Sequence, residues 1–303
     1  MKKYLISVIM PVYNSEKFIE FSVNSILNQT FTCFEFIIID DASTDGTGEI
    51  LKQICDQRVR VITNPVNLGN YPSRNIGIQA SSGEFIFVMD ADDLALPYRL
   101  ERQLLFMLNN PDVGISSSWF RRFGAAGNMP VNYPVDNEWL KIWFMENNYC
   151  LHPGLCIRKS SFPDEKSLLY NENLMYASDY EFVSRSFRNF RICNIPEILM
   201  EYRVHPAQIT SSKFTEQQGY ADSIRINYLA NIGLFLDNRE KSLHLTLLKN
   251  DYDGKFCLDD YLEWSHKILN YNQHKPFFDD HCLAGYLREK IKRVKRRMDK
   301  VTT

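Results

Sequence analysis

The sequence predicts an α/β fold in which a mostly parallel sheet is covered by helices on both faces. Three observations carry that expectation. Short apolar, β-branched runs recur without polar alternation, helical patterns separate them, and three of the runs end in polar or acidic residues. A strand without alternation is buried on both sides, which is the situation that crossover helices create. In such sheets, ligands bind beyond the carboxyl ends of the strands.

Residues 5–10 (LISVIM) read as a buried strand ended by Pro11. A helical pattern follows, with Phe18, Ile19, Val23, Ile26 and Leu27 on one face and Asn14 or Ser15 as N-cap. Residues 34–39 (FEFIII) form a second strand that runs into Asp40-Asp41-Ala42-Ser43. A polar turn and a helix holding Ile50, Leu51 and Ile54 come next. Residues 59–62 are a short third strand, 72–80 a helix, and 85–89 (FIFVM) a further buried strand ending at Asp90.

Beyond residue 110 the pattern loosens. Residues 97–108 read as helix, 114–119 as extended chain, and 121–135 as a Gly/Pro/Asn-rich loop. A helix near 138–146, a strand near 154–157 and a helix near 179–187 follow. From residue 214 onward the chain reads as mostly helix. The expected division is a main domain over 1–212, split into halves 1–110 and 111–212, and a helical region over 213–303. No internal repeat or low-complexity stretch interrupts it.

Bulk properties exclude several classes. A chain of 303 residues with 24% charged side chains and a net charge of −2 has no global affinity for nucleic acid. Its seven cysteines are scattered, odd in number and without a CxxC pair, so reduced thiols are expected rather than disulfides or zinc. The first apolar run is too short for a signal peptide, and no stretch is long enough to span a bilayer. The expected location is the cytoplasm, at the inner face of the membrane if the tail binds there.

The acidic strand ends carry the first chemical signal. Asp90 and Asp92 are two apart, so on extended chain both face one side; Asp93 follows directly. Three carboxylates within four residues repel one another unless a cation or a set of donors sits among them. Hard oxygen ligands of this kind suit Mg²⁺ or Mn²⁺, which bridge carboxylate to phosphate oxygens. The competing reading is an acidic turn that caps the following helix. A carboxylate at Asp40 or Asp41 suits the N–H of a base or ribose hydroxyls. Gly46-Thr47-Gly48 lacks the third glycine and the spacing of a dinucleotide fingerprint, which excludes a dehydrogenase.

Five motifs in order now show a resemblance. They are Val8-Ile9-Met10-Pro11-Val12-Tyr13-Asn14; residues 38–47 (IIDDASTDGT); Asn67-Leu68-Gly69 with Ser73-Arg74-Asn75-Ile76-Gly77; Gly83-Glu84-Phe85-Ile86; and Met89-Asp90-Ala91-Asp92-Asp93. Together they resemble glycosyltransferase family 2 over about residues 5–105. More loosely, Glu201-Tyr202-Arg203-Val204-His205 and residues 208–212 (QITSS) are similar to bacterial lipooligosaccharide hexosaminyl- and galactosyltransferases.

The resemblance implies a GT-A fold, a nucleotide-diphosphate sugar donor, a divalent metal and inversion at the anomeric carbon. It implies that Pro11 and Tyr13 line the base pocket, Tyr13 stacking on uracil, with Asp41 contacting the base and Asp40 beside it. Arg74 would approach the nucleotide. Asp90, with the adjoining Ala91, would hold the ribose or the metal shell, and Asp92 would bind the metal. In Ala177-Ser178-Asp179-Tyr180 the family's usual acid pair is reduced to one: Ser178 departs, and Asp179 keeps the position of the general base. Asp179 also reads as an ordinary helix start, and Glu181 is the fallback base. His205 matches a C-terminal histidine that in some members reaches metal or diphosphate; imidazole there would favour Mn²⁺ over Mg²⁺.

His152, before the 154–157 strand, is a candidate acceptor contact or a loop residue. Trp139, Trp143, Phe144 and Tyr149 are either a sugar platform or core. The run 288–300 (REKIKRVKRRMDK) is cationic, and Leu283, Leu287, Ile291, Val294 and Met298 recur beside it at helical spacing. Region 283–300 therefore reads as a peripheral membrane contact or as a solvated charged face.

The expected function is metal-dependent transfer of a hexose or N-acetylhexosamine from a UDP-sugar to a glycan or lipid-linked acceptor. The alternatives are a sugar-nucleotide-binding protein without turnover and a transferase using a GDP- or dTDP-sugar. A nucleotidylyltransferase is excluded, because Pro11-Val12-Tyr13-Asn14 offers no glycine-rich triphosphate loop.

Overall fold

A computed structural model of the chain describes residues 5–206, 214–250, 252 and 254–301. Two compact units divide it: Met1–Val135 with Cys150–Phe214, and Asp136–Tyr149 with Thr215–Thr303. In chain order the first unit opens with β1 (Ile6–Val12), α1 (Ile19–Leu27), β2 (Phe34–Asp40), α2 (Thr47–Lys52), β3 (Val59–Thr63), α3 (Asn70–Ala80) and β4 (Phe85–Val88). It continues with β5 (Leu94–Ala95), α4 (Arg99–Asn109), β6 (Val113–Gly124) and β7 (Met129–Val131). After α5 (Asn137–Trp143), which belongs to the second unit, come β8 (Cys156–Arg158), α6 (Ser178–Ser186) and β9 (Arg191–Val204).

The strands form one sheet in the order β3-β2-β1-β4-β8-β6-β9-β5, with β7 paired to β6. β1 to β4 are mutually parallel, β8 runs antiparallel to β4 and β6, and β9 is parallel to β6. Every residue of β1 and β4 is buried, so both faces of the sheet are covered there. That is why these strands read as unbroken apolar runs.

Four sequence expectations need correction. β1 does not stop before Pro11 but runs to Val12. Its pairing with β4 ends at Ile9, so Pro11 lies where β1 has a single sheet neighbour, β2, and the missing N–H costs little. The expected loop over 121–135 holds the end of β6 and all of β7. The 14-residue β9 was not expected at all, and neither was β5. The domain boundary also moves, because residues 136–149 join the C-terminal helices.

The second unit contains α5, α7 (Phe214–Asn231), α8 (Asn238–Lys249), α9 (Leu258–His274) and α10 (Asp280–Val301). Its buried polar contacts explain the moved boundary. The Tyr228 hydroxyl donates to the Lys141 carbonyl (2.9 Å), and Arg225 Nε donates to the Glu146 carbonyl (2.7 Å). The Glu146 carboxylate accepts from the Tyr286 hydroxyl (2.7 Å) and pairs with the buried Lys290 ammonium (2.6 Å). Phe144 is fully buried and belongs to the core, while half-buried Trp143 packs edge-on to Tyr149 and Tyr286; Trp139 is exposed.

On α10, Leu283, Leu287 and Val294 are buried within this unit, while Arg288, Lys292, Arg293, Lys295, Arg296, Arg297 and Lys300 are exposed. All seven cysteines are free thiols. Among the described residues no helix is long and apolar enough to cross a membrane. The 208–212 motif lies outside the described residues.

Candidate active site

The site lies wholly in the first unit, and helix α3 is its hub. The chain enters α3 through Gly69, whose φ of +98° suits glycine and would strain other residues. The Gly69 N–H donates to Asp41 Oδ2 (2.8 Å), while Asp41 Oδ1 accepts from the Leu68 N–H (2.9 Å) and Asn64 Nδ2 (2.8 Å). Three of the four acceptor positions on Asp41 thus order the loop before α3. Asn64 Nδ2 also donates to Ser73 Oγ on the helix (3.0 Å). Asp40, at the end of β2, is buried and accepts from the Ser43 N–H (3.0 Å). Pro11 is buried in β1, and Tyr13, just past it, is exposed over about half its surface (48%).

Tyr71, Ser73, Arg74 and Asn75 tie α3 to the rest of the site. Arg74 is fully buried, and its guanidinium pairs with Asp90 Oδ1 (2.6 Å) and donates to Asn70 Oδ1 (3.1 Å). Its full burial is not that of a solvated helix charge. Asn75 accepts from the Tyr170 N–H (2.8 Å) and donates to the Tyr170 carbonyl (3.0 Å), pinning the segment that precedes α6. One turn earlier, the Tyr71 hydroxyl donates to Asp179 Oδ1 (3.0 Å), in the first turn of α6. Asp90 and Asp179 are thus held by residues three apart on one helix, that is, about one turn.

The acidic loop is strapped to β9. Asp93 Oδ1 accepts from the Arg203 N–H (2.8 Å), and Arg203 Nε donates to the Asp92 carbonyl (2.7 Å). The Arg203 guanidinium also lies over the rings of Phe18 (4.8 Å) and Phe123 (4.4 Å). Ser22 Oγ lies within hydrogen-bond distance of the carbonyls of Ala91 and Asp93 (2.8 and 2.7 Å), and its one O–H ties the loop from the α1 side. This strap brings His205 to Asp92, with Nε2 and Oδ2 2.9 Å apart. Burial, then the charge of Asp90, raise the Asp92 carboxyl above its usual range, while His205 pulls it down. Asp93 is fully enclosed, and burial, then Asp92 and Asp90, push its carboxyl well above the usual range. Its Oδ2 has no hydrogen-bond partner among the described residues.

Asp92 Oδ2 and His205 Nε2 meet at 2.9 Å in a hydrogen bond, and a carboxylate beside an imidazole is a donor set that a divalent cation can take. Among the described residues no three His, Cys, Asp or Glu side chains gather around one point. The pair therefore suits an ion that draws most of its ligands from water and phosphate, as Mg²⁺ does, with the imidazole favouring Mn²⁺.

His152 has a different neighbourhood. Its Nε2 pairs with the Tyr170 hydroxyl (2.9 Å) and its ring meets Tyr71 edge-on (6.3 Å). Burial, then the Arg74 charge, hold its pKa well below the ordinary histidine value, so it is neutral. Glu181, the fallback base, is engaged by Arg185 (3.0 Å). Tyr71 is the site residue that sequence reasoning missed, having no periodic signal. Asp93 and Arg203 stood in the quoted motifs, but their bond to each other needed β9 to be recognised as a strand.

Comparison with known proteins adds four findings. A model of the glycosyl transferase family 2 matches residues 7–162. An uncharacterized glycosyltransferase of Methanocaldococcus jannaschii is 34% identical over 229 residues, covering 73% of this chain and 78% of the relative. The O-antigen biosynthesis glycosyltransferase WbnJ of Escherichia coli is 31% identical over 231 residues, covering 73% and 88% respectively. Among solved structures, residues 1–349 of S. aureus TarS in complex with UDP-GlcNAc align with a TM-score of 0.63 at 21% identity, over 95% of this chain and 89% of that one. At that identity the likeness speaks for the fold, which is GT-A with a helical C-terminal part.

Proposed function

The chain belongs to glycosyl transferase family 2, and from that premise we propose that it is an inverting transferase that uses a UDP-sugar. The sugar moved is a hexose or N-acetylhexosamine. The acceptor is a hydroxyl of a glycan or lipid-linked saccharide in bacterial surface-polysaccharide synthesis. Support for the pathway comes from WbnJ, an O-antigen biosynthesis enzyme, and support for the donor from TarS, seen with UDP-GlcNAc.

One observation carries the mechanism: α3 holds Asp90 through Arg74 and Asp179 through Tyr71. On this proposal the carboxylate on the diphosphate side and the proton acceptor are held from positions one helical turn apart on α3. In this reading Pro11, Tyr13, Asp40 and Asp41 receive the base, while Arg74, Asp90 and Ala91 flank the ribose and diphosphate. Asp92 and His205 would hold a divalent metal, which when bound offsets the charge that grows on the leaving diphosphate. Asp179 accepts the proton of the attacking hydroxyl as its oxygen closes on C1. A single displacement from the face opposite the diphosphate inverts the configuration. His152, which opens a 3-10 turn over His152–Gly154 beside Tyr71 and Tyr170, remains the candidate for acceptor contact.

A donor panel tests this reading. UDP-GlcNAc, UDP-glucose, UDP-galactose, GDP-mannose and a dTDP-hexose are compared with Mn²⁺, scored by nucleotide release and by thermal shift. A UDP-sugar should be turned over fastest, and Asp92→Ala should remove the Mn²⁺-dependent part of the thermal shift. Preference for GDP-mannose would overturn the base-pocket reading. Binding without any nucleotide release would favour the alternative, a sugar-nucleotide-binding protein.

A lipid-linked acceptor would bring the protein to a membrane, and α10 supplies the means. Because Leu283, Leu287 and Val294 are buried in the helical unit, that contact would be electrostatic rather than inserted. Each exposed cation contributes roughly 1 kcal/mol at an anionic surface, screened by salt. The protein should co-sediment with phosphatidylglycerol-rich vesicles at low ionic strength and leave them at high salt. Equal recovery with neutral vesicles would refute the contact.

A further inference from the structure

Taking Asp179 as the general base, as proposed above, we infer that the Tyr71 hydroxyl, supplied from α3, positions that base. The neighbouring position 178 gives Asp179 no second acid. Position 178, where the resemblance expects a second acid, is a serine whose Oγ is buried with no hydrogen-bond partner among the described residues. The phenol reaches Asp179 Oδ1 instead, at 3.0 Å, from a residue 108 positions away in the chain.

The phenol is itself held in place. Its ring stacks on Tyr170 (5.5 Å between centroids, 24° between planes) and meets His152 edge-on. Tyr170 is fixed in turn by two backbone bonds to Asn75 and by its hydroxyl's bond to His152. Tyr71 is 8% exposed, and the next residue, Pro72, stiffens the first turn of α3. A rotamer locked on several sides is what positions a reacting group to within a few tenths of an ångström.

Tyr71 is not a second base. Burial first, then the Asp179 charge, push its phenol well above its ordinary range, so it keeps its proton and stays a donor to Asp179. The other charged and titratable groups around this pocket are Arg74 on α3, Asp90 on the acidic loop, Arg185 on α6, and His152 and Tyr170. A constant hydrogen bond to the carboxylate does two things. It fixes the plane of the carboxyl group, and it favours the ionised form that can accept a proton.

The test is Tyr71→Phe, which deletes the hydroxyl and keeps the ring in its stack. Turnover is followed as UDP release with Mn²⁺ from whichever of UDP-GlcNAc, UDP-glucose and UDP-galactose is fastest. The expected result is a kcat about 10- to 100-fold lower, with donor KM unchanged. The acidic limb of the kcat profile should move up by roughly one pH unit, since the ionised form has lost a donor. Adding Tyr71→Phe to Asp179→Asn should leave the residual rate where Asp179→Asn alone puts it, because the hydroxyl acts only through that carboxylate. A thermal melt of each variant confirms that it is folded.

An unmoved acidic limb with wild-type kcat would overturn the inference while leaving Asp179 as the base. So would a rise in donor KM that accounts for the whole loss, which would assign Tyr71 to nucleotide-site architecture. Wild-type turnover in Asp179→Asn would instead remove the base itself, and this inference with it.

Discussion

Replacing Asp179 with asparagine should lower kcat by about 10²- to 10⁴-fold, the range typical of a lost general base, and leave donor KM nearly unchanged. Asparagine keeps the shape of the side chain, and its carbonyl oxygen still accepts from the Tyr71 hydroxyl, so the local fold is retained. What disappears is the capacity to take a proton as the acceptor oxygen attacks. Steady-state UDP release, paired with UDP affinity from calorimetry, separates the two parameters. Retained turnover would show that another group removes the proton. Glu181 is then an unattractive choice, because Arg185 already engages its carboxylate.

The second large effect is on stability rather than on chemistry. Gly83 precedes β4, and its N–H donates to Ser7 Oγ in β1 (2.8 Å). A Cβ built there would sit 2.6 Å from the Ser7 backbone nitrogen and 2.7 Å from the Ile6 carbonyl carbon. Those are main-chain atoms of a central strand, and they cannot rotate away. Gly83→Ala should therefore cost about 3 kcal/mol or more. That corresponds to a fall in melting temperature of roughly 10 °C for a unit of this size. Gly127→Ala is the control. It has open space around the new methyl, so only its positive φ of 71° resists, at about 1–2 kcal/mol. A Gly83→Ala protein that melts within the error of wild type would contradict the close approach of these chains.

Much of this arrangement was legible in the residues. The parallel half of the sheet showed itself because β1, β2 and β4 are buried on both faces and so carry no polar alternation. The acidic motif showed itself because three carboxylates in four positions have no structural use without a cation or donors. The antiparallel half was harder. β9 holds Asn194, Pro196 and Glu197 in its middle, and its register against β6 shifts between Ser118 and Trp119 and again before Phe120. Those irregularities break the period that sequence reading depends on. With β9 unseen, nothing could tie Arg203 to the acidic loop, although the motif around His205 was noticed. The placement of residues 136–149 depended on packing against helices more than 70 residues away, which no local pattern records. Tyr71 was invisible for a related reason: its partner lies in another half of the domain.

The crowding of contacts onto α3 has a consequence for anyone altering this protein's preferences. If Arg74 faces the nucleotide and Asp179 accepts the proton, as proposed, a substitution near Arg74 should also shift the turn that carries Tyr71, and through it that aspartate. Donor choice and reactivity towards the acceptor should thus show epistasis, with pairs of changes departing from the product of their separate effects. Libraries that vary one end of this helix while freezing the other would miss the compensating combinations.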